Sequence, residues 1–236
     1  MSATATSSPA GPGRPEAPGG PLGVFGGTFD PVHFGHLRLA EEAAERLGLQ
    51  GVRWIPAGRP ALRAAPRVGP AERLTMVRLA IAGNPRFTLD AAEIEAAAPS
   101  YTVPTLERLR RAENCGTARP LVLLLGSDAF AALPEWHCWE RLFDLAHIGV
   151  AQRPGATFDP ERLPPALAAA LRRRACEDPA RLADSPAGRI AAFETTPLDI
   201  SATRIRALLA AGKSPRYLLP EAVAEHIRQH RYYTED

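Results

Sequence analysis

Gly26-Gly27-Thr28-Phe29-Asp30-Pro31-Val32-His33-Phe34-Gly35-His36-Leu37 joins a glycine-rich turn to two histidines three residues apart. Leu22 to Phe25 before it is apolar and strand-like, and Leu37 to Leu47 after it carries leucines and alanines at helical spacing, so the block marks a strand-to-helix junction. Such a junction aims backbone N–H groups and a helix N-terminus at whatever binds there, which favours an anion. Imidazoles at i and i+3 can face the same ligand. Taken singly, the glycines read as a turn and each histidine as a surface or capping residue; their combination points to a phosphate site. The dinucleotide fingerprint is absent, because Gly23, Gly26 and Gly27 miss its spacing. Gly212-Lys213-Ser214 does not end a Walker A loop, since Ala207 stands where the first glycine belongs and the residues before it read as helix. It reads as a helix C-terminus with a glycine stop.

Outward from this block, strand-like runs alternate with helical ones. The strand-like runs are Leu22 to Gly26, Val52 to Pro56, Phe87 to Leu89, Leu121 to Leu125, Ile148 to Gln152 and Ile190 to Thr195. Helical patterns cover about Gly35 to Leu47, Pro70 to Ala82, a stretch after Thr102, a short segment before a tryptophan-rich turn, Ala166 to Arg174, Ala202 to Leu209 and Glu221 to His230. The alternation predicts an α/β fold with a parallel sheet covered on both faces and closed by C-terminal helices. Met1 to Gly20, built of Ser, Thr, Ala, Pro and Gly, is expected to be a disordered tail, leaving residues 21–236 as one domain.

With 236 residues, 45% of them hydrophobic, the chain can bury a sizeable core. A net charge of +2 and the absence of blocks of like charge give no sign of a nucleic-acid partner; Arg172-Arg173-Arg174 reads as a solvated helix face. Cys115, Cys138 and Cys176 are far apart and odd in number, which fits neither a zinc site nor a disulfide framework and suggests a reducing cytoplasm. No run is long enough to span a membrane, and no secretory signal is seen.

A second signal lies at Asp199-Ile200-Ser201-Ala202-Thr203-Arg204-Ile205-Arg206, where Ser201 is a natural N-cap and Thr203 and Arg206 project from the first helical turns. Alone, this segment also reads as an ordinary capped amphipathic helix. Together, His33-Phe34-Gly35-His36 and Ile200-Ser201-Ala202-Thr203-Arg204-Ile205-Arg206 resemble the paired motifs of the nucleotidylyltransferase superfamily. Within it, Ala98-Pro99-Ser100-Tyr101-Thr102, Leu125-Gly126-Ser127-Asp128, Leu133-Pro134-Glu135-Trp136, Arg153-Pro154-Gly155 and Glu194-Thr195-Thr196-Pro197 are similar, in order, to segments of the bacterial nicotinate-nucleotide adenylyltransferases.

The resemblance implies a Rossmann-like doubly wound sheet of order 3-2-1-4-5, with ligands at the reversal between the first strand and the one ending at Leu125. It implies transfer of the adenylyl group of ATP to nicotinate mononucleotide, with Mg2+ accompanying ATP. His33, His36 and Arg206 would be catalytic. Gly26, Gly27, Thr28, Phe29, Gly35, Asp128, Ile200, Ser201, Thr203 and Arg206 would bind ATP; Tyr101, Thr102, Trp136, His137 and Arg153 would bind the acceptor, with Trp139 a rival to Trp136 for stacking. Asp128 could equally be a helix N-cap. Where relatives often carry proline-proline-histidine-lysine or -arginine, this chain has Pro60-Ala61-Leu62-Arg63, so Arg63 keeps a charge for phosphate and Leu62 supplies no histidine function. His137 replaces an aromatic residue that commonly follows the tryptophan, while His147, His226 and His230 read as structural. Other readings are another adenylyltransferase of the same fold, acting on phosphopantetheine or nicotinamide mononucleotide, and a nucleotide-binding regulator without turnover.

Overall fold

The computed structural model describes residues 19–61, 64–111, 119–152, 154–155 and 160–234. Six strands, β1 (Leu22–Gly27), β2 (Gly51–Pro56), β3 (Phe87–Leu89), β4 (Leu121–Gly126), β5 (His147–Gln152) and β6 (Ile190–Glu194), form one sheet of order β3-β2-β1-β4-β5-β6. Every pairing is parallel. The order contains the expected 3-2-1-4-5 and adds β6 at the edge. The winding reverses between β1 and β4, where Leu22 pairs with Leu121.

Period-two alternation in the strands separates two apolar layers. Leu121, Leu123 and Leu125 of β4 pack on one face against α4 (Thr102–Arg111), α5 (Ser127–Ala131), α6 (Leu142–Leu145) and α7 (Pro165–Arg174). Val122 and Leu124 face the other layer, built by α1 (Phe34–Arg46), α2 (Pro70–Ile81), α8 (Ala202–Ala210) and α9 (Glu221–His230). Trp54 of β2 is fully buried there and packs on Phe25 (4.9 Å), Phe29 (5.3 Å) and Phe87 (5.5 Å). Two four-residue helices, α6 and α3 (Ala92–Glu95), had no periodic pattern to announce them.

Several readings of the sequence meet their geometry here. Gly212 has φ +65° just past α8, the left-handed stop that the glycine suits. Arg172 and Arg173 are exposed as expected, but Arg174 donates to the Gly188 carbonyl (3.1 Å) and lies 4.6 Å over the Phe143 ring. His147 is buried and accepts the Arg189 N–H at Nδ1, so its Nε2–H donates to the Ser185 carbonyl at 2.8 Å, a structural role. Cys138 is exposed and Cys176 buried, both as free thiols, while Cys115 lies outside the described residues. Of the expected tail, residues 1–18 lie outside them too, and the Gly20 carbonyl is tied to the domain by Arg119 Nε at 3.2 Å. No helix among the described residues is long and apolar enough to cross a membrane.

A buried cation fixes the carboxyl edge of the sheet. Arg73 of α2 is fully buried; its Nη1 donates to the Thr28 carbonyl after β1 (2.7 Å) and its Nη2 to the Gly58 carbonyl after β2 (3.0 Å). Gly58 has to be glycine, since a Cβ there would stand 2.0 Å from the Glu93 carbonyl oxygen. Arg73→Met should lower the unfolding free energy by about 3 to 5 kcal/mol, because it strands both carbonyls and removes one of the two cations, Arg73 and Arg206, near the Asp30 carboxylate. Urea denaturation would check this. A loss under about 1 kcal/mol, the worth of one ordinary hydrogen bond, would mean that the loops hold their shape without Arg73.

Candidate functional site

Past β1 the chain turns through Thr28–Val32, and α1 opens with His33 in the extended N-cap conformation. The His33 and His36 rings stack at 3.7 Å, and the His33 N–H donates to Nδ1 of His36 at 3.2 Å. That bond places the proton of neutral His36 on Nε2, making it a donor. The buried ring of Phe29 meets His36 edge-on at 5.1 Å and backs it with the aromatic core. Phe29 can therefore offer a ligand only its backbone. His33 is 6% exposed, and its Nδ1 is buried with no hydrogen-bond partner among the described residues. Burial lowers its pKa to about 4, so the ring is neutral at pH 7.

The late motif lies against this loop. Ser201 caps α8, accepting the Arg204 N–H at 3.2 Å. From the next turn Arg206 donates Nη1 to the Asp30 carbonyl (2.7 Å) and Nη2 to Thr203 Oγ1 (3.2 Å). A Cβ at Gly35 would press 3.0 Å from His33 Nδ1 and 3.6 Å from the Ile200 carbonyl, so the glycine lets the two motifs approach. Phe34 N–H, at the start of α1, is taken by the Leu218 carbonyl at 3.0 Å. Further along α1, the buried carboxylate of Glu42 accepts the Thr196 N–H (2.8 Å) and hydroxyl (2.6 Å) and pairs with Arg38 (2.9 Å), which holds its pKa below the ordinary carboxylate value despite the burial. The segment leading into α8 is thus fastened to the helix that carries the histidines.

Across the reversal, Ser127 and Asp128 are exposed at the end of β4, and the N-cap of α5 is Gly126. Asp128 does not act as the cap. Ser100 Oγ accepts the N–H groups of Gly58 (3.0 Å) and Arg59 (3.3 Å), and Ser100 N–H donates to the Arg59 carbonyl (2.9 Å), so the serine-tyrosine-threonine segment is stitched to the loop after β2. Thr102 begins α4. Tyr101 faces the exposed His137 at 4.8 Å between ring centroids, whereas Trp136 is half-buried against the core. Trp139 meets Phe143 edge-on at 6.0 Å and lines a separate cavity of about 590 Å³ with Arg141, Arg173 and Arg174. Its claim to stack on an acceptor at Tyr101 is thereby weak. Arg63, Leu62 and Arg153 lie outside the described residues. Reading the sequence gave no role to Asp30, Glu42, Arg73 or Ser100; Asp30 and Ser100 lie inside the quoted motifs, while Glu42 and Arg73 look like ordinary charged helix residues. No group of three or more His, Cys, Asp or Glu side chains placed to hold a metal occurs among the described residues.

Residues 24–208 match the cytidylyltransferase-like family model. A "Probable nicotinate-nucleotide adenylyltransferase" of Dechloromonas aromatica is 57% identical over 213 residues, covering 90% of this chain and 97% of that protein. One of the same name from Halorhodospira halophila is 49% identical over 212 residues, covering 90% and 94%. Among solved structures, Plasmodium falciparum nicotinic acid mononucleotide adenylyltransferase complexed with NaAD aligns with a TM-score of 0.68 at 13% identity, over 91% of this chain and 97% of that one, a likeness of fold.

The neutral, buried His33 makes stability depend on pH. Unfolding returns its pKa from about 4 to 6.5, so between these values the unfolded chain binds the extra proton and stability is lost as pH falls through that window. Its share of the loss should reach about 3 kcal/mol at the acid end. Denaturation at pH 7 and pH 4.5 should show a smaller drop for His33→Gln than for the parent protein; equal drops would mean that the ring accepts a proton without penalty.

Proposed function

The chain belongs to the nicotinate-nucleotide adenylyltransferases of the cytidylyltransferase-like family, and we infer from that membership that it transfers the adenylyl group of ATP to nicotinate mononucleotide. The products are nicotinate adenine dinucleotide and pyrophosphate, in NAD biosynthesis. The observation that carries the reading is that Arg206 bonds the loop leading to the stacked histidines, at the end of β1 and the reversal of the sheet.

A phosphate oxygen of the acceptor attacks the α-phosphorus of ATP; the new P–O bond forms as the α–β bridge breaks, and pyrophosphate leaves with that electron pair. The nucleophile is already anionic, so it needs no general base, and no covalent enzyme intermediate is formed. The protein has to bring two repelling phosphates into line and stabilise the charge of the transition state. Donors serve that purpose. We assign His36 Nε2–H, His33 and the backbone of Gly26, Gly27, Thr28, Phe29 and Gly35 to the ATP phosphates, and Ser201, Thr203 and Arg206 to the leaving pyrophosphate. Ile200 and Asp128 would contact the rest of ATP. The divalent metal that accompanies ATP, proposed to be Mg2+, would enter on the phosphates as part of the substrate.

Tyr101, Thr102, Trp136 and His137, with Arg153, form the proposed acceptor side, and Arg63 would reach phosphate. The N–H groups of Thr102 and Val103 at the start of α4, where Pro104 has none and that of Thr105 goes to the Tyr101 carbonyl, suit a carboxylate better than an amide, which supports nicotinate over nicotinamide as the ring. We propose a cytoplasmic enzyme, for which the free thiols of Cys138 and Cys176 are suited.

Purified protein should release pyrophosphate from ATP with nicotinate mononucleotide, more slowly with the nicotinamide analogue and not with phosphopantetheine; equal turnover of both mononucleotides would remove the carboxylate argument. His36→Ala should lower kcat by about 10² to 10³, the loss typical of one preorganised donor, with acceptor KM little changed. An unaltered kcat would sink the role given to the first motif. Trp136→Ala should mainly raise the KM for nicotinate mononucleotide. If that variant is folded and binds acceptor normally, the ring facing Tyr101 is His137 and the stacking assignment moves there.

A further inference from the structure

Asp30 is 6% exposed and joins distant parts of the chain. Its Oδ2 accepts the Arg67 N–H at 2.8 Å, and its Oδ1 accepts the hydroxyl of Tyr233 at 2.7 Å from beyond α9. The Arg206 guanidinium bonds the Asp30 main-chain carbonyl, while Nη1 stays 3.9 Å from carboxylate Oδ2, beyond hydrogen-bond length. To deliver Tyr233 there, the chain after α9 puts Arg231 (φ 52°) and Tyr233 (φ 65°) in left-handed conformations that non-glycine residues adopt at a cost. Burial and the adjoining carboxylate push the phenol far above its usual range, so it remains a donor.

We propose that Tyr233 is a positioning residue for Arg206, holding the Asp30 carboxylate short of hydrogen-bond contact so that the guanidinium keeps its N–H donors for the phosphates of ATP. The proposal rests on the adenylyl-transfer reading for the identity of the phosphates. Without the hydroxyl, Oδ1 loses its partner from the C-terminal segment, and a small rotation of the carboxylate closes the gap to Arg206. The resulting ion pair competes with ATP for the same donors. Acceptor binding, which draws on Tyr101 and His137, is untouched.

The test is Tyr233→Phe in the full chain, with ATP affinity measured by calorimetry and both KM values by pyrophosphate release. The Kd and KM for ATP should rise about tenfold, the worth of one hydrogen bond to a charged group, with the KM for nicotinate mononucleotide unchanged within about twofold. In an Asp30→Asn background, where no carboxylate can pair with Arg206, the same change should cost ATP affinity less than about twofold. A Tyr233→Phe protein that melts earlier but binds ATP as the parent does would overturn the proposal, leaving the bond purely structural. An undiminished loss in the Asp30→Asn background would overturn it as well. Calorimetry with ATP needs no acceptor, so a parent protein that binds ATP yet adenylylates no mononucleotide refutes the activity and leaves the Tyr233 comparison decisive.

Discussion

Arg206 reaches 176 residues back along the chain to the carbonyl of Asp30, and the geometry of the site depends on that bond. It can form only if the start of α8 lies beside the start of α1. Three features make this so: Gly35 lets the Ile200 carbonyl approach, Glu42 on α1 grips Thr196 ahead of α8, and β6 continues the sheet on the side from which α8 must return. Each is a buried or close contact between rigid elements, and such contacts fix a side chain more tightly than a loop could. The reversal of winding between β1 and β4 then leaves the crevice open above them.

The charges are arranged so that the permanent ones come from arginine. Arg73 lies buried beneath the loops and Arg206 lies at their surface, with Asp30 between them as the balancing anion. The histidines add direction without adding charge, since burial keeps His33 neutral and the His33 N–H fixes the proton of His36 on Nε2. A phosphate bound beside His33, as proposed, would offset part of the downward shift that burial imposes, because a nearby anion favours the imidazolium. Positive character would then grow only with the ligand in place.

The strands and the longer helices were legible because period-two and period-3.6 patterns are local: Phe87 to Leu89 and Glu221 to His230 have the expected bounds, and Pro70 starts its helix. The strand-to-helix junction at Gly26 to Leu37 was legible for the same reason, as its residues are neighbours in sequence. What the sequence did not reveal are polar pairings between remote positions. Glu42 sits on a helix among other acidic residues, and nothing in that spacing marks it as the one that is buried on Thr196. Arg73 reads as a surface cation and is the opposite. The turn that carries Trp139 opens on Cys138 in the left-handed conformation (φ 52°), which its residue type gives no hint of.

The two halves of the site are held by different means, and that difference bears on how substrate choice is built. On the side proposed for ATP, histidines and Arg206 are fastened by main-chain and buried polar bonds between helices that pack on the central strands. On the side proposed for the acceptor, Ser100 stitches two loops together, and Tyr101 and His137 meet near the surface. Changing a residue in the first half disturbs the packing that shapes the loop after β1. In the second half, a side chain such as His137 can be exchanged at small structural expense, because it is exposed and its backbone is fixed by neighbours. On the proposed assignment, transfer chemistry is tied to the core while acceptor preference is left to loops that can vary, so a change of acceptor would not require a change of the frame.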